Sequence, residues 1–376
     1  MSLKHLRLPL LLATIVAVSS LVFYVINDVE TKLSEEDVIG NTMVNTFMIA
    51  TEPKRDGNDS PLRLGLVGHG TGFVYKVNPE DNSAIVVTNH HVIEKHLARP
   101  DITKLQLYMI NRPWAYDAEV IGVDKITDIA VLRVKSMDNE PWNPLYFNLD
   151  KNVLEGTPVI TVGHGLSMPF TVTKGIISGT DRIMARKLNF MIQHSAIINV
   201  GNSGGPVVDY DGKVVAMNSM IMSPSSNRSG IASWDGVALG IPAWQASYSI
   251  ENILKKGYVP YSRIDFETYI PTVEQIQKQD KECHGGDTSK RSYAYLKIKE
   301  DAEHSQMMGL KTDDIVTDVN GEVAYGLATI AKAIIDKTPG TVVLIGLLRD
   351  CKYIQIDYQL LETEGLYTKV PFNFLR

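Results

Sequence analysis

Cysteine is nearly missing from this chain: Cys283 and Cys351 are the only two among 376 residues. A disulfide framework is therefore excluded as the basis of the fold. Export would permit the two thiols to pair, and two separate structural thiols fit the sequence as well. No Cys/His spacing of the zinc-site kind occurs, so neither a metal nor another cofactor is expected. A basic excess is missing too. With 43 acidic against 37 basic residues the net charge is −6, which argues against nucleic-acid binding. There is no internal repeat, and no alternation of strands with long helices. What is present is apolar content, 44%, enough over this length to give each of two domains a core.

One long hydrophobic run stands out. Leu8–Ile26 carries no charge and would measure about 28 Å as a helix, the thickness of a bilayer core. Lys4 and Arg7 precede it, while Asp28 and Glu30 follow. By the positive-inside rule the start stays cytoplasmic and the rest is exported. A cleaved signal peptide is the competing reading, with Ala17-Val18-Ser19 as its cleavage site. The apolar run continues past that site to Ile26, which favours an uncleaved anchor. The expected organisation is an anchor over 1–27, a polar tether over 28–45, a first domain over 46–255, a second over 256–364, and a tail over 365–376.

From Leu64 to about Val215, short β-branched runs alternate with turn signals, as at Gly72–Val77, Ala84–Thr88, Ile129–Val134 and Pro158–Val162. Asp211-Gly212, between Val207-Val208 and Val214-Val215, is a two-residue hairpin signal. Such a pattern predicts an all-β barrel or sandwich. Gln245–Lys256 has helical spacing and stops at Gly257. Beyond it, residues 277–291 read as a polar, flexible insertion. Strands follow at Tyr293–Ile298, Ile315–Val319, Val342–Arg349 and Tyr353–Leu361, with a hairpin signal at Asn320-Gly321 and a helix at Leu327–Asp336.

Chemistry concentrates at Gly201-Asn202-Ser203-Gly204-Gly205-Pro206. A serine among glycines can present its hydroxyl uncrowded, with adjacent backbone N–H groups turned toward a developing oxyanion. Upstream, Ile85–Ile93 places His90 and His91 at the end of an apolar strand, and Asp124–Val131 places Asp128 at the start of another. A serine nucleophile needs a base, and that base needs a carboxylate to fix its tautomer. The order His, Asp, Ser excludes the α/β-hydrolase arrangement, in which the serine comes first. A metal site at His90, His91, Glu94 and His96 matches no helical zinc spacing.

Three separated segments, Thr88-Asn89-His90-His91-Val92, Thr127–Leu132 and Gly201–Pro206, together resemble the HtrA/Deg family of trypsin-like serine proteases. The likeness extends to Leu239-Gly240-Ile241-Pro242. Met308–Val316 and Val319-Asn320-Gly321 resemble the family's PDZ domain. With one anchor and one such domain, the chain looks most like the membrane-tethered DegS-type branch. The resemblance implies a chymotrypsin-like double β-barrel followed by a β-rich PDZ domain and preceded by one transmembrane helix.

It also implies residue roles: His91 as general base, Asp128 as its orienting acid and Ser203 as nucleophile. The oxyanion hole would be formed by N–H groups of Gly201, Asn202 and Ser203. Ile197 and Ile198, just before the nucleophile loop, either line a pocket for a small or medium apolar side chain or only pack the barrel. Tyr258-Val259-Pro260-Tyr261 aligns with the loop that receives peptide C-termini, although Pro260 removes one N–H donor. His194-Ser195 and Gly163-His164-Gly165-Leu166 depart from the family's usual residues.

The implied function is cleavage of misfolded or specific envelope and membrane-protein substrates, with C-terminal peptides as activators. The protein would form a homotrimer, held at the inner membrane with its catalytic domain on the periplasmic side. The alternative is a protease-fold peptide sensor or chaperone whose site rests inactive.

Overall fold

The computed structural model describes residues 33–54, 69–110, 112–135, 142–165, 168–183, 190–221, 237–269, 271–283, 294–300 and 302–363. The run Leu8–Ile26 lies outside these residues. Among them, no helix is long and apolar enough to cross a membrane.

The first element corrects the reading of residues 28–45 as a mere tether. Glu35–Val44 is helix α1, opened by Ser34, whose hydroxyl accepts the Asp37 N–H while the Asp37 carboxylate accepts the Ser34 N–H. This reciprocal cap satisfies two otherwise orphan donors. Val38 of α1 is buried in the main core, and Glu35 pairs with Lys174 and takes a hydrogen bond from Tyr210. Both partners belong to the body that follows.

That body begins with β1 (Thr46–Pro53), β2 (His69–Asn78), β3 (Ser83–Asn89), helix α2 (His90–Ala98), β4 (Thr103–Met109), β5 (Ala115–Asp124) and β6 (Ile129–Lys135). These strands close into a barrel in the order β1-β2-β3-β6-β5-β4. A second barrel is built from β7 (Pro158–Gly163), β8 (Thr171–Ile183), β9 (Phe190–His194), β10 (Pro206–Asp209), β11 (Val214–Ile221) and β12 (Ala238–Pro242). Its order is β10-β11-β12-β9-β8-β7. The β-branched run of β3 is buried along its whole length, whereas β4 and β5 turn part of their surface outward. The Asp211-Gly212 turn joins β10 to β11, with Gly212 at φ +76°.

Helix α3 (Ala243–Lys256) leaves the second barrel and packs back across both. It ends at Gly257 in the left-handed conformation, whose N–H caps Ile253. Ile250 and Ile253 join Phe73, Val87 and Val131 of the first barrel and Ile160, Val208 and Met217 of the second in one core.

The C-terminal module contains β13 (Ser262–Arg263), β14 (Glu267–Tyr269), α4 (Val273–Cys283), β15 (Ala294–Lys297), α5 (Glu303–Met307), β16 (Ile315–Val319), β17 (Glu322–Val323), α6 (Leu327–Ile334), β18 (Val342–Arg349), β19 (Lys352–Gln359) and β20 (Leu361–Glu362). Its sheet runs β14-β15-β16-β18-β19, and β13 pairs with β20. Asn320 and Gly321 both take positive φ between β16 and β17. Part of the segment read as a flexible insertion is helix: α4 reaches Cys283, which is disulfide-bonded to Cys351 after β18. The open question of pairing is settled in favour of the bridge. Phe190 of β9 and Trp244 of α3 meet Ala331 of α6 and Ile335 just after it, an apolar contact between module and body. Lys332 pairs with Asp181 at 2.8 Å, and Lys151 with Asp336 at 2.7 Å.

Candidate active site

His91 does not sit on a strand end. Asn89 closes β3, and His90 and His91 open α2. The switch from strand to helix puts His91 opposite the tight turn between β5 and β6, where Asp128 has φ +60°. Three backbone contacts fix this meeting. The Asp128 carbonyl accepts the His90 N–H at 3.0 Å and the Asn89 side-chain amide at 2.9 Å. Its carboxylate Oδ1 accepts the His91 N–H at 3.0 Å. The other oxygen, Oδ2, lies 2.7 Å from His91 Nδ1. A carboxylate there makes Nδ1 the protonated nitrogen and leaves Nε2 as the basic one. Burial lowers the pKa of the neighbouring His90.

Ser203 lies between the barrels on the loop leading into β10. Its carbonyl accepts the Thr71 N–H at 2.8 Å, and the Gly201 carbonyl accepts the Thr71 hydroxyl at 2.7 Å. The loop can lie this close to β2 only because of its glycines. Gly204 has φ +85°, and a Cβ there would come 2.1 Å from the Thr71 carbonyl and 2.3 Å from the Thr88 hydroxyl. Gly201 has φ +105° and packs against the His164 carbonyl and the His69 ring. The Asn202 N–H is held by the Asn199 carbonyl at 3.0 Å. The N–H groups of Gly201 and Ser203 have no acceptor among the described residues.

Sequence reasoning missed Ser219 on β11. Its hydroxyl donates to Asp128 Oδ2 at 3.0 Å, and its carbonyl accepts the Ser203 hydroxyl at 3.1 Å. No hydrogen bond joins Ser203 to His91 in this arrangement.

Two other histidines brace the loop from behind. His194 Nε2 lies 2.9 Å from the Asn218 side chain, and Asn218 holds both Gly204 and Gly205 through its backbone. Burial pulls its pKa down to about 4. His164 is buried as well, its Nδ1 accepting the Phe170 N–H at 3.2 Å, and burial lowers it to about 3. Of the two pocket candidates, Ile197 is 54% exposed while Ile198 is 8% exposed. In the loop expected to receive peptide termini, Tyr258 is half-buried and Val259, Pro260 and Tyr261 are buried. The Pro260 carbonyl accepts the Tyr248 hydroxyl at 2.6 Å, and the Tyr261 hydroxyl donates to Asp124. Among the described residues no group of three or more His, Cys, Asp or Glu side chains converges on a metal position.

Residues 70–217 match the family model of the trypsin-like peptidase domain. The chain is 30% identical over 292 residues to a probable periplasmic serine endoprotease, DegP-like, of Chlamydia muridarum, covering 76% of this chain and 52% of that one. It is 29% identical over 315 residues to a protein of the same description from Bartonella henselae, covering 84% and 57%. It thus spans little more than half the length of these relatives. In fold it is similar to the HtrA-type protease AlgW with tripeptide, with TM-score 0.65 at 20% identity over 89% of this chain and 98% of that one. The serine endoprotease from Yersinia pestis gives 0.54 at 22% identity over 88% and 99%. Residues 70–217 thus form a trypsin-like peptidase domain, and the chain is similar to serine endoproteases of the HtrA/DegP type.

Proposed function

We propose that the chain is a serine endopeptidase in which Ser203 attacks the scissile carbonyl, His91 is the general base and Asp128 its orienting acid. The observation that carries this reading is the 2.7 Å contact of His91 Nδ1 with Asp128 Oδ2, opposite a serine on a glycine-shaped loop. The Ser203 proton passes to His91 Nε2 as Oγ bonds to the substrate carbonyl carbon. The resulting oxyanion is received by the free N–H groups of Gly201 and Ser203, while that of Asn202 stays committed to Asn199. His91 then gives the proton to the leaving amine, and water, activated by the same base, releases the acyl group from Ser203. Ile197 and Ile198 favour a small or medium apolar side chain at the cleaved bond.

The substrates are polypeptides of the cell envelope, a reading supported by the periplasmic DegP-like relatives. The proposal includes an anchor at Leu8–Ile26 in the inner membrane, a periplasmic catalytic domain and a homotrimer. The C-terminal module is PDZ-like and regulatory. Because its loop Tyr258–Tyr261 is buried against the body, capture of a peptide C-terminus there requires the loop to leave this seam.

The Ser203–Ser219 hydrogen bond favours a second reading, a peptide sensor whose site rests inactive. Fluorophosphonate labelling and casein cleavage by the wild type and Ser203→Ala, with and without C-terminal peptides, test both. Labelling and cleavage confined to the wild type support the enzyme. Identical slow cleavage by both proteins under every condition removes it.

A further inference from the structure

The turn that presents Asp128 is braced from inside by a second carboxylate. Asp124 ends β5 and pairs with Ile129 across the turn. Its Oδ1 accepts the Ile126 N–H at 3.0 Å. Its Oδ2 accepts the hydroxyls of Thr127, of Ser249 at 2.8 Å, and of Tyr261. Asp124, Thr127, Ser249 and Tyr261 are all buried. Each donor comes from a different place: Thr127 from the turn itself, Ser249 from α3, and Tyr261 from the stretch that leads into the C-terminal module.

A buried carboxylate needs its donors, because every one lost leaves charge unsolvated. Asp124 therefore cannot move independently of Tyr261, nor can the turn shift without breaking its bonds to Asp124. Four residues along that turn lies the oxygen that holds His91. From these contacts we infer that Asp124 and Tyr261 are positioning residues for Asp128, so that seating of the C-terminal module sets the carboxylate's hold on His91. The inference rests on the roles proposed above for His91 and Asp128, and it gives the module a route to the site that needs no contact with substrate.

Tyr261→Phe in the full-length protein removes one hydroxyl and little else. Tyr248→Phe is the control, since its hydroxyl bonds Pro260 in the same seam without touching Asp124. Two readouts are needed: kcat and KM on a peptide substrate, and the low-field proton resonance of His91 Nδ1, assigned by its loss in His91→Ala. Tyr261→Phe is expected to lower kcat by about tenfold with KM unchanged and to displace the resonance, whereas Tyr248→Phe does neither. Ser249→Ala, which takes a different donor from Asp124, should displace the resonance in turn, and it decides the matter if Tyr261→Phe does not fold. Equal kcat losses in the two tyrosine variants, tracking their melting temperatures, overturn the inference, as does an unmoved resonance in Tyr261→Phe and Ser249→Ala. The resonance requires no turnover. It therefore tests the inference even if labelling of Ser203 fails and the proposed activity falls with it.

Discussion

Ser219 holds Ser203 and Asp128 at once: its carbonyl accepts the Ser203 hydroxyl at 3.1 Å, and its own hydroxyl donates to Asp128 Oδ2 at 3.0 Å. The Ser203 proton thus faces a backbone carbonyl, and the proposed attack requires it to turn toward His91 Nε2. Ser219→Ala keeps the carbonyl and deletes the bond to the carboxylate. A hydrogen bond to a charged group contributes about 1.5–3 kcal/mol, so kcat/KM should fall by roughly tenfold or more. Ser203→Ala should cost on the order of 10⁶-fold. Steady-state kinetics on one peptide substrate measures both, and an unchanged Ser219→Ala enzyme would contradict the role given to that bond.

Gly204→Ala should fail for steric reasons. Its φ of +85° disfavours a side chain, and its Cβ would lie 2.1 Å from the Thr71 carbonyl. The loop must lift from β2, breaking the Thr71–Ser203 bond. We expect a stability loss of about 2–3 kcal/mol together with loss of fluorophosphonate labelling. Chemical denaturation and labelling of the same sample separate the two effects.

Acid should weaken the body through its buried histidines. In the fold, burial depresses His194 to about 4 and His164 to about 3, against an ordinary value of 6.5. Between those limits the unfolded chain binds protons that the folded chain refuses, so stability falls as pH drops below 6.5 toward 4. Each such histidine contributes a slope of about 1.4 kcal/mol per pH unit over that window. Urea unfolding at pH 7, 5.5 and 4.5 should show the decline, and His194→Gln should make it shallower.

The contact between module and body is apolar at its centre. Trp244 lies against Phe190, Ala331 and Ile335, with the Lys151 ammonium 4.9 Å from its ring. Trp244→Ala should cost about 3 kcal/mol and split unfolding into two transitions, read by comparing far-ultraviolet circular dichroism with tryptophan fluorescence. Lys332→Ala, which removes a partly exposed ion pair, should change stability by less than about 1 kcal/mol.

Local chemistry was the readable part of this chain. Gly212, Gly257 and Gly321 each take the positive φ that their turn contexts require, and the resemblance carried by the motifs around His91, Asp128 and Ser203 implied the pair of barrels. Helix α2 was hidden because the apolar run of β3 leads straight into Val92 and Ile93, so strand and helix periods merge at Asn89. Helix α1 was hidden by its polarity: its first turn is acidic, and only Val38 and Thr42 are buried. Ser219 and Tyr261 carry no local signal at all. Their partners lie 91 and 137 positions away, and only the closing of the barrels and the return of α3 bring them within reach.

The docking of α1 gives the molecule a mechanical link to both barrels. Among the described residues, tension arriving from upstream of Leu33 would first meet a helix held to Lys174 on β8 and to Tyr210 beside the β10–β11 turn. Both attachments belong to the barrel whose strand β10 follows directly from the Ser203 loop. A pull on the leading end is therefore shared: the side-chain attachments deliver it as shear to the barrel that carries the serine, and the chain itself carries it through Asn45 into β1 of the barrel that carries His91 and Asp128.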